Sequence, residues 1–192
     1  MTQSIVTPKI VEESGSGTLE VFELEPSESV LQTLLTDLFE NYWSHIHFGP
    51  LIQGAAWEIK ADAAPKRISM LDGYLTVNFG AWHFHICIGE HKGPRSHPTP
   101  PELAYHRRTA RAELYRQINE DGTPNSWGLR LFNGHDEQQI TIFFPNPFLS
   151  DEMQFLKTPD WSRLELWDYV RKTYLGLEPE ARDRSGRRMI HG

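Results

Sequence analysis

Residues 74–88 read Tyr-Leu-Thr-Val-Asn-Phe-Gly-Ala-Trp-His-Phe-His-Ile-Cys-Ile, and the fold turns on how this stretch is joined. Before the break the apolar residues are odd-numbered: Leu75, Val77 and Phe79. After it they are even-numbered: Trp82, Phe84, Ile86 and Ile88. One uninterrupted strand alternates its side chains with period two and cannot change parity in this way. A two-residue hairpin at Gly80-Ala81 can, because glycine at the first loop position suits a type II′ turn. This register sets Phe79 against Trp82, Val77 against Phe84 and Leu75 against Ile86, and predicts that Phe79 and Trp82 are both buried. The other face pairs Asn78 with His83, Thr76 with His85 and Tyr74 with Cys87.

Further elements follow on either side. Residues 19–24 read as a strand after a lead-in that ends Glu-Ser-Gly-Ser-Gly. Ser27 opens a helix with apolar residues at Val30, Leu31, Leu34, Leu35, Leu38 and Tyr42, a helical spacing. Residues 57–60 and 67–70 read as short strands, and Asp72-Gly73 as a turn. Thr99-Pro100-Pro101-Glu102 carries the signature of a helix start, with Thr99 expected to cap the Glu102 N–H and the helix to run to about Asn119. Residues 126–132 and 139–144 form a second hairpin across Asn133-Gly134. A last helix begins at Thr158-Pro159-Asp160, carries Trp161, Leu164, Trp167, Val170 and Tyr174 on one stripe, and ends at Gly176.

The expected class is therefore α+β. A mainly antiparallel sheet of about five to seven strands, with two hairpins, packs against three helices. The expected organisation is a flexible lead-in over 1–17, a single domain over 18–177 and a charged tail over 178–192.

The chain has 192 residues and a formal net charge of −7. That charge repels nucleic acid and anionic membrane surfaces at long range, so neither is an expected partner. Cys87 is the sole cysteine, which excludes an intramolecular disulfide and a Cys-x-x-Cys site and fits a reducing compartment. Residues 1–16 lack the apolar core of a signal peptide. No apolar run approaches the roughly 20 residues that span a bilayer. Cytoplasm is the expected location. Phosphate-binding and dinucleotide-binding glycine motifs and a nucleophile elbow are absent from the sequence.

The candidate chemistry lies on the polar face of the 74–88 hairpin. His83, His85 and Cys87 point the same way, and same-face neighbours on a strand stand about 7 Å apart, within reach of one metal ion. Glu90 and His91 follow directly. Imidazole and carboxylate suit zinc or iron, so the metal candidates are His83, His85, Glu90 and His91. His45 and His47, just past the first helix, and Cys87 are possible further ligands; Cys87 is otherwise a small core residue or a nucleophile.

His83-x-His85 with Glu90 beyond it resembles the first metal-binding motif of the cupins. The resemblance implies His83, His85 and Glu90 as ligands, with another histidine from a later strand. It spans eight residues. The later Pro-Gly-His motif has no counterpart closer than Gly134-His135, and three helices depart from an all-β cupin.

Three functional alternatives stay open. The first is a small metal-binding protein, either an enzyme or a non-catalytic one. The second is a module holding an anionic small molecule in a pocket of Tyr74, Thr76, Asn78, His83, His85 and Arg130. The third is an assembly protein, for example a homo-oligomer. Arg107, Arg108 and Arg111 form a separate anion-binding candidate, set against a solvated helix face. The hairpin's polar face carries no long charged side chain, so His83 and His85 are expected to face a partly enclosed pocket.

Overall fold

The computed structural model describes residues 6–52 and 54–188. In chain order these residues form β1 (Lys9–Glu13), β2 (Gly17–Leu24), α1 (Glu28–Asn41), β3 (His47–Gly49), β4 (Leu51–Ile52), β5 (Ala55–Ala56), β6 (Arg67–Leu71), β7 (Tyr74–Asn78), β8 (His83–Cys87), α2 (Pro101–Arg107), β9 (Arg111–Ile118), β10 (Pro124–Phe132), β11 (Gln138–Phe143) and α3 (Glu165–Leu175). The class is α+β with mostly antiparallel sheets. With eleven strands among the described residues, the sheet content exceeds the five to seven expected. The chain divides into two units, one of residues 1–24, 113–129 and 143–192, the other of residues 25–112 and 130–142.

In the second unit, β6, β7 and β8 make a three-stranded sheet in that order. The β7–β8 register is the one the parity switch predicts: Leu75 opposes Ile86, Val77 opposes Phe84, and Asn78 opposes His83. Gly80 at φ 99° supplies the positive torsion of the turn, and Phe79 N–H closes it on Trp82 O at 3.0 Å. Asp72 and Gly73, at φ 48° and 80°, turn β6 into β7, as two consecutive left-handed residues do in a tight hairpin. The apolar face meets α1 and β3. The Phe39 ring stands edge-on to Phe48 at 4.9 Å and to Phe84 at 5.3 Å, and Phe79 stacks on Trp82 at 4.3 Å. Edge-on and offset contacts of this kind add about 0.5–1.5 kcal/mol each beyond area burial. Phe79 is buried as expected; Trp82 is only half-buried.

The middle helix departs most from expectation. It ends at Arg107, its N-cap residue is Pro100 rather than Thr99, and no side chain caps it. Residues 111–118 form β9 instead. The run Arg-Ala-Glu-Leu favours helix on propensity. Residues 112–116 are all buried, however, so β9 is covered on both faces and shows no alternation that would mark it as a strand. Residues 57–60 also differ: only Ile59 bridges, to Phe48.

In the first unit the sheet order runs β1-β2-β9-β10. The segment expected to be a flexible lead-in contributes β1, which pairs antiparallel with β2; residues 1–5 lie outside the described residues. Asp160 accepts from Ser162 N–H at 3.1 Å and caps a 3-10 turn, Trp161–Leu164, that leads into α3. Gly176, at φ 68°, ends α3. The expected tail is partly built in, because Ala181–Arg184 forms a second 3-10 turn with Asp183 fully buried. Residues 189–192 of that tail lie outside the described residues.

Asp183 accepts from Trp127 Nε1 at 3.0 Å, Trp167 Nε1 at 2.9 Å and Arg116 Nη1 at 2.8 Å. Arg116 also bonds Glu20 and Glu180, Arg171 bonds Glu180, and Arg182 reaches Glu20 at 2.8 Å. The Arg116 and Arg171 guanidinium groups lie over the Phe22 ring at 5.5 and 5.0 Å.

Removing one member of a buried ion-pair network strands its partners. Asp183→Ala is therefore expected to cost roughly 3–5 kcal/mol, read by denaturant unfolding. Burial pushes the Glu180 pKa up, but hydrogen bonds from Arg116 and Arg171 outweigh it and hold the carboxyl below its ordinary value. A depressed carboxylate contributes stability that is present above its unfolded pKa of about 4.3 and drains as pH falls through the folded value. Urea midpoints measured downward from pH 5 should fall less steeply in Glu180→Gln than in the native chain.

Candidate functional site: a cleft along an open strand edge

β8 is the last strand of its sheet, and a cavity of about 600 Å³ lies along its free edge within the second unit. Because the cavity straddles an edge, residues from both faces of β8 line it: Phe84 and Ile86 from one, His83, His85 and Cys87 from the other. Phe48, Pro50 and Ile59 supply an apolar wall, while Gln139 and Ile140 of β11 and Arg107 of α2 complete it. Among the described residues no aspartate or glutamate lines the cleft, although acidic residues outnumber basic ones 26 to 19 in the chain.

The predicted site residues divide. His83 and His85 share the cleft, their rings 4.9 Å apart and nearly perpendicular. The His85 Nδ1 and the Thr76 hydroxyl share a 2.7 Å hydrogen bond across the hairpin. Both histidines are exposed rather than partly enclosed, because the polar face of β8 opens outward at the cleft's rim. Glu90 turns into solvent beside Lys92, at 3.7 Å. His91 is drawn to Asp72 Oδ2 at 3.0 Å and stands edge-on to the Tyr74 ring. His45 Nδ1 lies 3.1 Å from the neighbouring Ser44 hydroxyl, and His47 is half-buried in β3. Among the described residues no group of three or more histidines, cysteines and acids is placed to hold a metal ion. His135, the nearest counterpart of the later cupin histidine, stacks on His106 at 3.8 Å.

The proposed small-molecule pocket is only partly assembled. Tyr74 reaches the cleft. Arg130 is instead buried, its guanidinium 5.3 Å from the Phe132 ring, and Thr76 and Asn78 are not among the lining residues. The arginine cluster dissolves once α2 ends early. Arg107 lines the cleft, Arg108 follows the helix in extended conformation, and Arg111 pairs with Asp136 at 2.7 Å.

Cys87 is buried, with Sγ 3.5 Å from Gly89 O. Burial raises its thiol pKa, and the opposing hydrogen bonds from Tyr74 and Gly89 and the charge of Arg107 do not reverse the shift. Tyr74 is raised as well, chiefly by burial. Both groups are protonated at neutral pH, which removes the thiolate a nucleophile or ligand needs.

Sequence reasoning missed Phe48, Ile59, Trp82, Asn133, Gln139 and Ile140 as wall residues. Only Gln139 left a trace, as a polar residue at the start of an otherwise apolar strand.

The fold and cleft define an α+β protein with a groove, free of carboxylates among the described residues, along the open edge of β8. The chain belongs to DUF7676, a family of unknown function whose model matches residues 8–176. No curated protein matches the sequence significantly.

A raised thiol pKa has a direct readout. Alkylation of Cys87 by iodoacetamide at pH 8 is expected to be at least about tenfold slower in the folded protein than in denaturant. Equal rates would mean the thiol is open.

Proposed function

We propose that this chain is a binding module whose cleft takes an elongated amphipathic ligand, apolar along the wall and anionic where it meets the rim. One observation carries this reading. The cleft sets an apolar wall of Phe48, Ile59, Phe84 and Ile86 against a rim of His83, His85 and Arg107, with no carboxylate between them. Pockets that bind organic ligands combine apolar lining with a few convergent polar groups in this way. Arg107 offers a planar fork of donors to a carboxylate. A cytoplasmic location fits the single, buried cysteine.

A second reading, a zinc or iron site on His83 and His85, draws support from the Thr76–His85 hydrogen bond. Fixing one ring nitrogen leaves the other free, as in ligating histidines. Among the described residues two protein ligands meet there, so water or a bound molecule would complete the shell.

Decanoate serves as the test ligand for the first reading. It is expected to bind at one saturable site by calorimetry and to shift the ring-proton resonances of His83 and His85. Arg107→Ala should weaken it about fivefold, the scale of about 1 kcal/mol for an exposed charge pair. Absence of saturable binding at millimolar ligand would refute the reading. Elemental analysis after dialysis against a weak chelator, compared with the His83→Ala, His85→Ala double variant, decides the second.

A further inference from the structure

The ligand's class can be read from the backbone at the cleft, on the footing of the binding-module reading. Phe79 N–H bonds Trp82 O, and at the other end of the hairpin Ile88 N–H bonds Gly73 O at 2.9 Å. These pairs fix the ladder's phase. In an antiparallel pair, hydrogen-bonded and non-bonded positions alternate, so Phe84 and Ile86 bond inward to β7. The main-chain groups of His83, His85 and Cys87 therefore point out of the sheet. Cys87 O is already taken, by Thr109 N–H at 2.8 Å and the Thr109 hydroxyl at 3.0 Å. The N–H and C=O of His83 and His85 find no such partner among the described residues, and they face the cleft.

We propose that the cleft receives an extended peptide segment of a partner protein, which adds to β8 as a fourth strand. Two donors and two acceptors, repeating at strand spacing, are what a polypeptide backbone matches and a small organic anion does not. The added strand lies about 4.8 Å from β8, with its side chains alternating between faces. Those on one face meet Phe84, Ile86 and the Phe48 wall. Those on the other meet His83, His85 and Arg107. The partner segment thus alternates apolar and acidic residues, complementary to a rim whose charge opposes that of the protein as a whole. A second copy of β8 is disfavoured, because it would set imidazoles against imidazoles.

The probe is the blocked hexapeptide acetyl-Glu-Val-Glu-Val-Glu-Val-amide, titrated by calorimetry, with backbone amide exchange at His83 and His85 followed by NMR. Both amides should exchange at least about tenfold more slowly with the peptide bound, and decanoate should leave them unchanged. His85→Pro removes one outward donor at a position where an edge strand tolerates proline. It should bind the peptide about tenfold more weakly than His85→Ala, both variants keeping the native circular dichroism spectrum. Failure of the peptide to bind, binding without amide protection, or equal affinity in the two variants would each overturn the proposal. If decanoate still binds in those cases, the cleft reading survives; if neither ligand binds, both fall together.

Discussion

Side chains on a strand alternate with a period of two, and the second unit depends on where that alternation is broken. Gly80-Ala81 reverses the chain so that Leu75, Val77, Phe84 and Ile86 share one face. That face gives Phe39 and Phe48 something to pack on. A one-residue slip would turn His83 and His85 into the aromatic cluster and expose the phenylalanine. The same phase decides which backbone groups look outward from β8. Core, polar rim and open edge are thus three results of a single register.

The first unit rests on a different constraint. Arginines 116 and 171 and Asp183 are each at most 2 % exposed. Desolvating such groups costs several kcal/mol per ion, and only close pairing with satisfied hydrogen bonds offsets it. Asp183 meets the requirement on both oxygens, one accepting from Trp127 and Arg116, the other from Trp167. The two indoles bring apolar rings and a donor each, so the carboxylate is shielded by the same residues that bond it. Replacing it by a neutral group would leave two guanidinium ions short of charge, which makes the arrangement specific as well as stable.

Elements whose pattern is local were readable. The β7–β8 register followed from parity, and α3 with its Gly176 stop from helical spacing and a glycine. β9 was not readable, since burial on both faces erased the period and left a sequence with helical propensity. The burial of Asp183 left no mark either: an aspartate among arginines looks solvated, and its partners Trp167, Trp127 and Arg116 lie 16, 56 and 67 residues away along the sequence. At the site, the two histidines were legible and the walls were not. Phe48, Ile59 and Gln139 come from separate segments that only the folded chain unites. Glu90 and His91 sat at ligand spacing, but Lys92 and Asp72 offered them nearer partners.

Asp183 also sets an order of events during synthesis. Everything that forms the β8 cleft, from Phe48 to Ile140, has been translated before Asp183 is added. Arg116 and Arg171 share that carboxylate, and Trp127 and Trp167 donate their indole N–H groups to it, so this buried network is complete only once Asp183 is in place. Until Asp183 emerges from the ribosome, Arg116 lacks one of its three carboxylate partners and the Trp127 and Trp167 indole N–H groups lack their acceptor.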